Sequence, residues 1–170
     1  MLKDNLVHKG DVARVLKTVW LSQGKVAADA FVLRPRLKED YVSVLREGHF
    51  DFLSDLCAVC KKTIDCTYAS MAIPQIERLD LPELAPNHIK YMVSLVDNQR
   101  LKSHAGIFVS VNDEILVGGK PLSNYLVAGQ SQSSAIMLVQ LKLAKLAEKN
   151  IKRLLLSTSL NEGMVSEPLK

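Results

Sequence analysis

The sequence predicts an α+β domain: an antiparallel sheet with a middle helix and a long C-terminal helix packed on it. Three observations lead there. Valine-rich, strand-like runs recur at Tyr41 to Leu45, His88 to Val96 and His104 to Val111, as half-buried strands require. One run, Asp51 to Cys66, instead has helical spacing, and so does a longer one, Ser131 to Leu155. Strands and helices thus come in blocks rather than in strict alternation, the order of a segregated α+β domain.

Val12 to Leu21 is apolar and valine-rich, and reads as a strand or a short helix. Ser22-Gln23-Gly24-Lys25 is a turn, because glycine accepts positive φ. VAADAFVL follows as a helical turn leading into a strand, and Pro35 then holds Arg34 extended. Gly48 breaks the chain before the middle helix. There Phe52, Leu53, Leu56, Val59, Cys60 and Ile64 fall close to the i, i+3, i+4, i+7 pattern. Pro74, Pro82 and Pro86 mark an extended or looped stretch. VDNQRLKS connects the next two strands as a hairpin, Asn112-Asp113 is a turn, and EILV is a further strand. Serines at 131, 133 and 134 offer caps for the last helix. Residues 1–156 form the expected single domain, and 157–170, which lack periodicity, a mobile tail.

At 170 residues the chain is long enough for a real core, and 48% hydrophobic with 24% charged residues is a globular balance. No apolar run approaches the roughly 18 residues of a membrane span. The N-terminus has no apolar signal region. Cytoplasmic residence, with no membrane, is the expectation. The formal charge of +4 permits an anionic partner without requiring one. Aromatic residues are 5% of the chain, too few for a base-stacking platform.

Three groups of residues carry possible chemistry. Cys57, Cys60 and Cys66, with His49 upstream, supply four zinc-type ligands in a C-x2-C-x5-C pattern. Buried, reduced thiols on a helix are the plainer reading. Lys142, Lys145, Lys149 and Lys152 share one face of the expected last helix. They suit nucleic-acid phosphates or simply a solvated face. Arg34 can fork onto a phosphate or carboxylate. His104 titrates near neutral pH, and Asp40 or Glu39 can orient it. The alternative is a surface loop with ordinary ion pairs. Gly118-Gly119-Lys120 lacks the spacing of a phosphate loop and is followed by Pro121. No cofactor is expected.

Trp20, Gly24-Lys25, Ala28, Ala30, Phe31, Arg34, Ser43 and Val44, with Ser103-His104-Ala105-Gly106-Ile107 further on, resemble a group of small bacterial proteins. That group shows a tryptophan, a glycine turn, Ala-Phe, a charged stretch, Ser-Val and later His-Ala. The resemblance implies a bacterial cytoplasmic protein and supplies no reaction. It adds Ser43 to Arg34, Asp40 and His104 as candidate catalytic residues. Two functions follow as expectations. One is an accessory protein working through a protein partner or a homodimer. It rests on the last helix being apolar on more than one side, with Met137, Leu138 and Leu141 beside Ile136, Leu143 and Ala147. The other is a nucleotide- or nucleic-acid-processing enzyme using Arg34, Asp40 and His104.

Overall fold

Alternating side chains commit each strand to two faces, and here both faces of one antiparallel sheet are covered. A computed structural model describes residues 3–32, 40–61, 65–79, 89–116, 132–155 and 165–168. The strands are β1 (Asp11–Val15), β2 (Leu21–Ser22), β3 (Lys25–Val26), β4 (Tyr41–Arg46), β5 (Asp65–Ala72), β6 (Ile89–Leu95), β7 (His104–Val111), β8 (Glu114–Ile115), β9 (Ile151–Leu155) and β10 (Val165–Pro168). The α-helices are α1 (Phe52–Cys60), α2 (Ile73–Glu77) and α3 (Gln132–Ala147). Short 3-10 turns stand at Lys3–Asn5, Thr18–Trp20 and Ala28–Phe31. The main sheet runs β10-β9-β5-β1-β4-β7-β6, with β8 paired to β7, and every pair described is antiparallel. β2 and β3 form a separate hairpin.

One core joins Val12, Val42, Val44, Met71, Tyr91 and Ile107 of the sheet to Leu143, Ala144 and Ala147 of α3 and Phe31 of the Ala28–Phe31 turn. A second, smaller core seats Phe52 and Leu56 of α1 against Ala13, Leu45, Cys66, Tyr68 and Leu154. All eight residues of β7 are consequently buried. That strand reads as a continuous apolar run because it is covered on both sides.

The mixed fold with an antiparallel sheet and few helices agrees with the sequence reading; four details differ. The middle helix stops at Cys60, and Asp65 to Ala72 is a strand between β1 and β9. Alternating burial of Cys66 and Tyr68 there replaces the helical period. Pro74 sits in the first turn of α2, where its missing N–H costs nothing. The last helix ends at Ala147, not Leu155. Asn150 N–H bonds back to the Ala147 carbonyl, its own carbonyl accepts Ser70 N–H, and the chain turns into β9. With Ile151 and Leu154 buried, residues 151–155 gain more from a strand than from further helix. In the stretch expected to be a mobile tail, Val165–Pro168 pairs with β9.

The turns follow local chemistry. Asn112 and Asp113 take φ of 50° and 66° between β7 and β8, values that these two residue types tolerate well. The β2–β3 turn places Gln23 and Gly24 at φ of 49° and 74°.

Candidate functional site

The site is a product of register. β4 and β7 pair with Leu45 opposite His104, Ser43 opposite Gly106 and Tyr41 opposite Phe108. Directly opposed residues share a face, so Tyr41, Ser43, His104 and Phe108 line one side of the sheet. Ser43 is diagonal to His104, and the position directly across from Ser43 carries no side chain. The imidazole reaches diagonally across the ladder to Ser43. Ser43 Oγ and His104 Nε2 are 2.7 Å apart in a hydrogen bond. With the ring neutral and its proton on Nδ1, the serine hydroxyl donates to Nε2.

Tyr41 closes the group from the other end of the ladder. Its ring meets the His104 ring edge-on at 5.8 Å and Phe108 at 5.0 Å. A Cβ on Gly106 would stand 2.7 Å from Tyr41 Cγ and 2.8 Å from Phe108 Cε2. The glycine is therefore the floor on which the tyrosine lies. Ser43 itself is exposed, while His104 is 5% exposed.

Burial pushes the His104 imidazole below its ordinary value of 6.5, because the cation is poorly solvated there. The backbone carbonyl of Val96 and the charge of Asp55 oppose that shift in part. Nδ1 is buried without a hydrogen-bond partner among the described residues. The net result is a neutral histidine at neutral pH, with a free-electron-pair nitrogen on a serine hydroxyl. That is the arrangement of a general base beside a nucleophile.

Asp55, on α1, accepts from the backbone N–H and the hydroxyl of Ser103, both at 2.7 Å. Arg14 fixes the other side of the pair. Its Nε donates to the Ala30 carbonyl at 2.9 Å and its Nη1 to the Ser43 carbonyl at 2.8 Å. The guanidinium lies over the Trp20 ring at 5.6 Å. Trp20, Ala30 and Ser43, three residues of the sequence resemblance, are thus joined through one arginine.

Of the residues singled out from sequence, Ser43 and His104 come together. Asp40 is half-buried, one residue before β4, and the carboxylate whose charge acts on His104 is Asp55. Arg34 and Glu39 lie outside the described residues. Cys60 and Cys66 are joined as a disulfide, with Cα atoms 5.7 Å apart, where reduced thiols were expected; Cys57 is not part of that bridge. His49 Nδ1 accepts the Asp51 N–H at 3.1 Å. Among the described residues no group of three or more His, Cys, Asp or Glu side chains could hold a metal ion. The lysine stripe is divided by the end of α3: Lys142 and Lys145 are helical, Lys149 is in the following turn, and Lys152 is on β9. No described helix is long and apolar enough to cross a membrane.

Sequence reasoning gave Tyr41, Asp55 and Gly106 no part in a site. Signals existed for two of them. Asp55 stands three residues after Phe52, inside the apolar stripe of its helix, and Gly106 interrupts a strand. No family model matches the chain, and no curated protein or solved structure matches it either.

Proposed function

We propose that the protein is a small group-transfer enzyme in which Ser43 is the nucleophile and His104 its general base. The observation that carries this reading is the 2.7 Å hydrogen bond between an exposed serine hydroxyl and a buried, neutral imidazole. In the first half-reaction Ser43 Oγ bonds to a phosphorus or carbonyl carbon, and the leaving group departs with its electron pair. The hydroxyl proton passes to His104 Nε2 and on to the leaving group. Water then repeats the sequence and frees the serine. An anionic substrate such as a nucleotide suits the net charge of +4 and the forked donors of Arg34.

The test is a fluorophosphonate probe followed by intact mass and peptide mapping. Attack by Ser43 expels fluoride and leaves the phosphonyl group on Oγ. Labelling at Ser43 that is lost in Ser43→Ala and His104→Ala is the expected result. A probe that leaves the wild-type mass unchanged removes the reading.

A second reading, action through a protein partner or homodimer, is favoured by one observation. Phe50, Leu53 and Val59, on and beside α1, are 93%, 46% and 38% exposed. Sedimentation of wild type against Phe50→Ser separates the cases for self-association. A concentration-dependent dimer lost in the variant supports it, and a monomer at all concentrations removes the homodimer. Under either reading the resemblance set out above supports a bacterial cytoplasmic location.

A further inference from the structure

We infer that Asp55 is the positioning residue of this site, setting the place of His104 through Ser103 and bringing its negative charge to bear on the ring. The inference rests on the Ser43–His104 reading above and adds to it a residue from another element. Asp55 sits in the first turn of α1 and is 5% exposed. Its Oδ2 takes both donors of Ser103, the residue directly before His104. The Ser103 carbonyl in turn accepts Arg46 N–H at 2.8 Å, and His104 N–H reaches the Leu101 carbonyl at 3.3 Å. The backbone that carries the imidazole is therefore held from α1, from β4 and from its own turn. Only the two side-chain torsions of His104 remain to be set, and Tyr41 and Ser43 set them.

A buried carboxylate is expensive unless it is paired. Among the described residues no lysine or arginine pairs with Asp55. Its partners are two neutral donors of one serine. An amide or hydroxyl could pin that turn without a charge. A carboxylate does more if the neighbouring ring becomes a cation during turnover, because it steadies the imidazolium that forms as Ser43 gives up its proton. Among the described residues, the groups facing the ring are Ser43 and Tyr41 from β4, Asp55 from α1 and the Val96 carbonyl after β6. Asp55 is the one formal charge among them.

The experiment is an NMR titration of the His104 ring in the full chain, beside the rate of fluorophosphonate labelling. Asp55→Asn keeps an acceptor for Ser103 and removes the charge. Its His104 midpoint is expected to fall by about one pH unit, with Ser43 labelling at pH 7 slowed about tenfold or more. A folded Asp55→Asn protein with an unmoved midpoint overturns the inference and leaves Asp55 a turn anchor. Should that variant not fold, Ser103→Ala carries the test. It keeps the backbone bond and frees the carboxylate from one donor, so the midpoint should rise, and an unmoved midpoint overturns the inference there too. The titration needs no turnover. Wild-type protein that resists the probe, while Asp55→Asn still moves the midpoint, refutes the nucleophile and keeps the Asp55–His104 coupling.

Discussion

Gly106 lies directly across the β4–β7 ladder from Ser43, and the room that it leaves is taken by the rings of Tyr41 and Phe108. The tyrosine that packs edge-on against His104 thus depends on a side chain that is absent. Gly106→Ala puts a methyl 2.7 Å from Tyr41 Cγ and Cδ2 and 2.8 Å from Phe108 Cε2. Tyr41 must tip away from the sheet, or the strands must spread. Overpacking of this kind costs about 1–3 kcal/mol. Urea denaturation should show a lower midpoint with an unchanged slope, and the ring of His104 should lose its upfield contact with Tyr41 in NMR spectra. A variant as stable as wild type, with that contact intact, contradicts the packing described.

Stability should depend on pH through His104. Its folded pKa lies below the ordinary 6.5, with burial as the main cause. Between the two values the unfolded chain binds a proton that the folded chain refuses, so stability rises with pH across that window. The contribution is complete above about pH 6.5 and is lost as the pH falls through the folded value. Denaturation at pH 5 and pH 7.5 should give a larger acid loss for wild type than for His104→Gln, which has no ring to protonate. Equal losses would place the acid sensitivity elsewhere.

How much of this was legible in the sequence depends on the range of each signal. The strands at Tyr41 and His104 and the turn at Asn112-Asp113 are local patterns, and they stand where alternation and turn chemistry put them. Cys66 and Ile151 show the opposite case. Each follows a helix whose period runs on in sequence, and each becomes strand because β5 and β9 pair with one another. Nothing within either segment announces that partner. Ser43 and His104 are 61 residues apart, and their contact requires the β4–β7 register, which no local pattern specifies. Only the resemblance placed both residues together in one list of candidates.

Asp55→Ala should cost far more than its place on a nine-residue helix suggests. The change leaves Ser103 N–H and Oγ–H without their acceptor in a buried turn. An unsatisfied buried donor costs about 1–3 kcal/mol, so a loss of about 3 kcal/mol is expected. Ser103→Ala removes one donor and its need together, and should lose about 1 kcal/mol. Thermal or urea unfolding of the two variants gives the ratio. Equal, small losses would mean that water serves Ser103 as well as Asp55 does.

Lys152 should act as a structural residue and Lys145 as a solvated one, although the sequence sets both on one stripe. Lys152 Nζ lies 3.3 Å from Glu47 Oε2 across the sheet, and the second oxygen of that carboxylate is buried without a partner among the described residues. Removing the lysine strands a half-buried carboxylate, whereas Lys145 is exposed on α3. Lys152→Ala is expected to lower stability by about 1 kcal/mol, the upper end for a partly exposed pair. Lys145→Ala should change it by less than about 0.5 kcal/mol. Added salt distinguishes the cause. At about 1 M the screening length falls to roughly 3 Å, and the difference between wild type and Lys152→Ala should shrink. A difference that salt leaves untouched would assign the effect to the packed aliphatic stem of Lys152 instead of its charge.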